Sequence, residues 1–229
     1  MKKIIIATSK KYNINDAMDF VNHNKNCKLI FYKNNLQIQI QKFNPDIIFF
    51  VHWSYFIPEE IYNNYKCIVF HTADLPFGRG GSPIQNNIAN GIYKTKISAI
   101  KVEKEIDSGD IYLKEDIELN GNLKEILKRI SKTIFNIMIP KIIDRHYILK
   151  KQVGKPSYFT RRKKEDGEIK EYFDINKIYD YIRMLDDEEY PKAYINFGDY
   201  QFKFSNATLE DNKIVATIEI EKLKKEDKK

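Results

Sequence analysis

The sequence predicts an α/β fold with a mainly parallel sheet, followed by a small α+β appendage. Two observations carry that expectation. Short β-branched and aromatic runs alternate with stretches of helical spacing over the first two-thirds of the chain, the pattern of strands crossed over by helices. Past Gly154-Lys155-Pro156 the organisation changes to one helical stretch and then segments of strict alternation. The division falls at residues 1–153 and 154–229, with a linker at the start of the second part.

The elements follow in order. KIIIAT, Lys3 to Thr8, reads as a first central strand. NINDAMDFVNH, Asn13 to His23, opens on a capping residue and places Ala17, Phe20 and Val21 at helical spacing. KLIFY and DIIFFV are further buried strands. Between them LQIQIQKF alternates like a strand. We assign a short helix there, because two parallel strands need a crossover and Pro45 breaks the chain before the next one. CIVF, Cys67 to Phe70, is another strand. Ser82 followed by Pro83 forms an N-cap with proline at the first helical position, and Gly91 closes that helix. ISAIKVE and DIYLKED flank a turn at Asp107-Ser108-Gly109-Asp110. Asn122 and Glu125 have capping-box spacing, and Leu123, Ile126, Leu127, Ile130, Ile134 and Met138 share one face behind them. INKIYDYIRML is helical, and KAYINF, YQFKFS and KIVATIEI are strands.

With 42% hydrophobic and 13% aromatic residues in 229, the chain can bury a sizeable core despite a mean hydropathy of −0.54. The apolar run at the N-terminus is too short for a secretory signal, and no run approaches a membrane span. Cys27 and Cys67 are the only cysteines, which argues against a disulfide framework or a zinc site and for a reducing, cytoplasmic compartment. The net charge of +7 raises nucleic acid or phosphorylated molecules as partners. Its lysine runs, at Lys163-Lys164 and in the tail KLKKEDKK, are interrupted or scattered, which fits a solvated surface.

The chemistry concentrates in CIVFHTADLPFGRGGSPIQN, Cys67 to Asn86. Ligand sites of open α/β sheets lie beyond the carboxyl ends of the strands, where His71 stands. Pro76, Arg79, Gly80 and Gly81 make a constrained loop, and the helix after Ser82 points unpaired amides toward whatever binds. Asp107 begins a turn one strand-helix-strand unit later, so in a parallel sheet it returns to the same edge. A carboxylate there would orient His71 and raise its pKa, making a general base or a stabilising cation. Each residue also has a purely structural reading: a buried core histidine, and an Asx-turn aspartate.

HTADLPFGRGGSPIQ, His71 to Gln85, followed by IDSGDI, Ile106 to Ile111, resembles the signature of formyltransferases that use N10-formyltetrahydrofolate. Among these are methionyl-tRNA formyltransferase and the sugar N-formyltransferases. The resemblance extends to DIIFFV with Phe56, Ile57 and Pro58, matching a strand and loop that line the pterin slot. It also takes in FTRRKKED and a helix from Tyr179 to Pro191, similar to the smaller domain of the sugar branch. It implies a Rossmann-like catalytic domain, His71 and Asp107 as catalytic residues, and N10-formyltetrahydrofolate as co-substrate held by Trp53, Tyr55, Phe56, Ile57, Arg79 and Gly80. No metal is required.

One position departs from the family pattern. An asparagine normally stands two residues before the histidine and helps hold the formyl oxygen; here it is Val69. Loss of one such donor costs about 10²- to 10³-fold in rate, and Thr72, Gln85 and His52 are candidate replacements. For the acceptor, the short C-terminal part and scattered basic residues suggest a small molecule: a nucleotide-linked amino sugar on a nonulosonic, pseudaminic-type route to surface glycans. Arg161, Arg162 and Arg183 would bind its phosphates or carboxylate, and nucleic acid would not be a partner. The alternatives are a folate- or sugar-binding protein with weakened turnover and an enzyme like methionyl-tRNA formyltransferase.

Overall fold

The computed structural model describes residues 2–34 and 36–223. In chain order the elements are β1 (Ile4–Thr8), α1 (Ile14–His23), β2 (Cys27–Phe31), α2 (Leu36–Phe43), β3 (Ile47–Val51), α3 (Glu59–Asn64), β4 (Cys67–His71), β5 (Arg79–Gly80) and α4 (Pro83–Ala89). They continue with β6 (Lys94–Lys101), β7 (Ile111–Glu118), α5 (Leu123–Thr133), α6 (Ile139–Asp144), β8 (Tyr158–Phe159), α7 (Ile175–Arg183), β9 (Ala193–Phe197), β10 (Tyr200–Glu210) and β11 (Lys213–Lys222). Residues 224–229 of the lysine-rich tail, KLKKEDKK, lie outside the described residues.

The main sheet has the order β2-β1-β3-β4-β6-β7. β1 to β4 are parallel, whereas β6 runs antiparallel to β4 and β7 antiparallel to β6. β1 and β3 are buried along their whole length, as central parallel strands covered on both faces must be. Ile4, Ile6, Phe49 and Phe70 face one core with α4 and α5; Ile5, Ala7, Phe50 and Cys67 face the other. LQIQIQKF is the helix α2, burying Leu36 and Ile40 against the second core: the topological need for a crossover overrode its local alternation.

Several local expectations are corrected. Asn13 and Ser82 occupy N-cap positions but make no side-chain cap. Asn13 turns inward to Thr8 and His52, and Ser82 sits at φ +50 with its Oγ accepting from Arg162 N–H. The apolar face behind Asn122 continues past α5 through a π-helical turn, Ile134–Met138, into α6. Pro140 has no N–H to give to the helical ladder, and the wider turn, in which Ile139 N–H bonds Ile134 O, absorbs the break. The final helix ends at Arg183, not Pro191.

β9, β10 and β11 form a second, antiparallel sheet. Ile182, Met184, Leu185 and Ala193 pack into the same core as α5. The segment joining the two parts, read above as a linker, is a strap tied along its length. Lys150 pairs with Ile111, β8 pairs in parallel with β5, Gly78 N–H bonds Ser157 Oγ, and Asn86 Nδ2 bonds Thr160 O. It runs along the loop that follows His71.

Candidate active site

His71 is the last residue of β4, and only 7% of its side chain is exposed. Strand alternation turns it to the same face as Cys67 and Val69. Its Nδ1 stands 3.3 Å from Asp107 Oδ2 and its Nε2 2.7 Å from the carbonyl oxygen of Gly78. A neutral imidazole carries one N–H, so only the doubly protonated ring donates to both oxygens at once.

Asp107 reaches this position at φ +52, a conformation unfavourable for a residue with a Cβ, and three contacts hold it there. Gly80 N–H donates to Asp107 Oδ2 at 2.9 Å. Gln152 Nε2 donates to the carbonyls of Asp107 at 2.8 Å and Gly109 at 2.9 Å. Gly109 itself passes so close to Lys101 that a Cβ there would lie 1.8 Å from the Lys101 carbonyl oxygen.

The pair forms one wall of a cavity of about 510 Å³, within the range of small-ligand sites. Trp53, Phe56, Ile57 and Val69 give it an apolar side, and the segment from Ile100 to Asp107, with Lys101, Glu103, Lys104 and Glu105, a polar rim. Trp53 packs edge-on against Phe50 and Tyr55, and its buried Nε1 finds no partner among the described residues. A flat heteroaromatic ring with polar edges fits that combination of slot, orphaned N–H and polar rim. A hollow of about 460 Å³ among Lys2, Asp46, Lys66 and Arg145 lies at the amino ends of the strands, away from where such sheets place reacting groups.

Trp53, Tyr55, Phe56, Ile57 and Gly80, expected to hold the co-substrate, all line the cavity. Arg79 does not: its Nε and Nη2 are spent on Gln152 Oε1, at 3.1 and 2.8 Å. Of the candidate oxyanion donors, His52 lines the cavity, whereas Thr72 and Gln85 are buried beside it without lining it. His52 follows β3 at φ +46, its Nδ1 is 2.9 Å from Asn13 Nδ2, and its buried Nε2 is unpartnered among the described residues. Burial, helped by Lys10, lowers its pKa to about 4, so the ring is neutral at physiological pH.

The three arginines separate. Arg161 lines the cavity. Arg162 is occupied by Asn86 Oδ1, the Asp166 carbonyl and the ring and hydroxyl of Tyr181. Arg183 is buried, paired with Asp180 at 2.7 Å and donating to the carbonyls of Leu119 and Gly121. Neither of the last two lines the cavity, and both are engaged by protein groups. Sequence reasoning missed Gln152, which sits in a stretch that reads as linker, and the Gly78 carbonyl, since backbone groups leave no residue-type signal.

The family model described as formyl transferase matches residues 3–139, and that described as methionyl-tRNA formyltransferase, C-terminal domain, matches residues 164–221. A methionyl-tRNA formyltransferase from Sulfurihydrogenibium sp. is 32% identical over 190 residues, covering 77% of this chain and 60% of that protein. One from Rickettsia felis is 29% identical over 73% of this chain and 57% of its own length. The chain therefore spans about three-fifths of the length of these curated relatives. The solved structure of a methionyl-tRNA formyltransferase from Clostridium thermocellum is 50% identical, with a TM-score of 0.94 over 97% of this chain and all of that one. A 4-N formyltransferase structure from Francisella tularensis, 19% identical with a TM-score of 0.65 over 97% of this chain and 99% of that one, shares the fold.

These likenesses overturn the expected acceptor. An amino sugar, and the exclusion of nucleic acid, rested on the shortness of the C-terminal part and on the scatter of the basic residues. That part matches the C-terminal domain model of methionyl-tRNA formyltransferase, and the sequence relatives bear the same name. A compact helix and three-stranded sheet is thus compatible with that domain type, so length does not discriminate between acceptors.

Proposed function

This chain belongs to the formyl transferase family, and on that premise we propose that it transfers a formyl group from N10-formyltetrahydrofolate to the α-amine of methionyl-tRNA. The observation that carries the reading is the His71–Asp107 pair standing against an aromatic-walled cavity at the carboxyl edge of the sheet. The acceptor rests on the C-terminal likeness and on the 50% identical structure.

The co-substrate supplies the one-carbon unit: the amine nitrogen bonds the formyl carbon, the carbon–N10 bond breaks, and the proton lost by the amine ends on N10. Trp53, Phe56 and Ile57 hold the heteroaromatic ring in the slot and keep water from the formyl carbon. His71, held between Asp107 at Nδ1 and the Gly78 carbonyl at Nε2, serves as a fixed polar group beside the oxygen on which charge develops. To accept the amine proton instead, its Nε2 would have to release the Gly78 carbonyl, so the resident geometry favours the electrostatic role. Asp107 orients the ring, and Gly80 N–H fixes the carboxylate. Arg161, at the cavity rim, meets the acceptor.

A second reading, a folate-binding protein with weakened turnover, is favoured by Val69, an apolar side chain where the family places an amide. Incubation with N10-formyltetrahydrofolate and methionyl-tRNA, followed by mass spectrometry of the aminoacyl ester, separates the two. A gain of one formyl group supports transfer. Folate binding without product supports the second reading, and product on free methionine but not on the charged tRNA overturns the acceptor.

A further inference from the structure

Resting on that reading of the His71–Asp107 pair, we infer that Gln152 is a positioning residue that fixes the geometry of the pair from the strap between the two parts of the chain. Its side-chain amide bonds both loops of the site. Oε1 accepts two hydrogen bonds from Arg79, in the loop whose Gly78 carbonyl faces His71 Nε2. Nε2 donates to the carbonyls of Asp107 and Gly109, in the turn whose carboxylate faces His71 Nδ1. All the donor and acceptor directions are satisfied in one orientation of the amide, because the guanidinium can only donate and the two carbonyls can only accept.

The need for such a clamp follows from the backbone. Asp107 is held at φ +52, and its turn leaves β6 at the end of the strand remote from His71. Gly80 N–H grips only the carboxylate, while Gln152 grips the main chain on both sides of Ser108. The neighbouring pairing of Lys150 with Ile111 anchors Gln152 in turn. The position of the strap is thereby coupled to the two groups proposed to act on the formyl carbon.

The discriminating substitution is Gln152→Glu. A carboxylate keeps an acceptor for Arg79 but turns an oxygen toward the two carbonyls, so the fold is retained while the grip on Asp107 is lost. The expected result is a fall in kcat approaching about 10²-fold, the cost of a misplacement on the order of 1 Å, with the KM for N10-formyltetrahydrofolate within about twofold of wild type. The pH profile of kcat should shift with it. Independently of activity, the ¹⁵N resonances of the His71 ring should move in Gln152→Glu and Gln152→Ala and stay unchanged in a control at exposed Lys213, on β11.

Unchanged His71 resonances together with wild-type kcat in a folded Gln152→Glu protein would overturn the inference. So would a Gln152→Ala variant that only melts earlier, with the pH profile intact. If His71→Ala retains turnover, the reading of the site fails instead, and the resonances still decide whether Gln152 sets the geometry.

Discussion

His71 and Asp107 stand 3.3 Å apart although the strands that carry them out of the sheet run in opposite directions. His71 ends β4 opposite Ser98, and β6 goes on to Lys101 opposite Ile68, toward the amino end of β4. The chain between Lys101 and Ile111 must fold back along the sheet to return Asp107 to the carboxyl edge. It borders the cavity as it does so, from Ile100 to Asp107. Convergence on a parallel return, as expected from sequence, is the wrong route to the right neighbourhood.

Because both ring nitrogens of His71 are engaged, its replacement removes the partner of Asp107 and the hydrogen bond to the Gly78 carbonyl together. His71→Ala should abolish formyl transfer, and Asp107→Asn should lower kcat by about 10²- to 10⁴-fold, the span usual for a group that acts on a proton or its charge. Circular dichroism should show both proteins folded. A folded His71→Ala enzyme with near-normal turnover would refute the proposed chemistry.

The return of the 102–110 segment depends on Gly109. A methyl group there meets the Lys101 carbonyl oxygen at 1.8 Å, and that atom belongs to backbone that cannot swing aside. Gly109→Ala should destabilise the fold by about 1–3 kcal/mol, as overpacking does, and lower kcat with it by displacing Asp107. A melting temperature equal to wild type would contradict this.

Much of the scaffold was legible because it rests on periodicity and caps. The Asn122–Glu125 capping box forms as spaced, and β1, β3 and β4 lie where apolar runs put them. The sense of β6 was not legible, since a strand's direction is set by the path that its connections take. The roles of Arg79, Arg162 and Arg183 were hidden for a related reason. A guanidinium serves a carbonyl, an aromatic ring or a phosphate equally well, and only packing decides which one is within reach. Gln152 is the sharpest case: nothing in LKKQVGKP distinguishes a clamp from a solvated linker.

The arginines divide into a test of binding against stability. Arg161→Ala should raise the acceptor KM several-fold and leave the melting temperature nearly unchanged, since Arg161 borders the cavity. Arg183→Ala strands a buried Asp180 and two carbonyls, and should cost about 3–5 kcal/mol in urea denaturation. An Arg183→Ala protein of wild-type stability with a raised acceptor KM would mark Arg183 as a binding residue.

His52 makes the fold sensitive to acid. Its pKa falls from an ordinary 6.5 to about 4 on folding, so between those values the unfolded chain binds more protons than the native one. Stability then rises with pH, and this contribution is complete above about 6.5 and lost as pH falls toward 4. His52→Gln removes the titration, so the gap in stability between wild type and variant should narrow, or reverse, over that window. A gap independent of pH between 7 and 4 would show that the ring titrates alike in both states.

The final prediction concerns the amide missing at Val69. A formyl oxygen gaining charge needs a donor, and Val69 offers only methyl groups to the cavity it lines. Thr72 and Gln85 are buried outside the lining, so Gln85 Nε2, although it too has no partner among the described residues, does not face the cavity that His52 lines. His52 remains. Its Nδ1 lies 2.9 Å from Asn13 Nδ2, a donor, and 3.3 Å from Asn13 Oδ1; with the closer contact donated by the amide, the proton of the neutral ring sits on Nε2, the atom without a partner among the described residues. The left-handed backbone at His52 is the kind of strain that persists where a fold holds a side chain for a task. We expect His52→Ala to lower kcat by about 10²- to 10³-fold, Asn13→Ala to lower it less by freeing the tautomer, and Val69→Asn to gain little. A large rate increase in Val69→Asn, with His52→Ala silent, would mean that no side chain has taken over from the amide and that the protein works as a weakened enzyme.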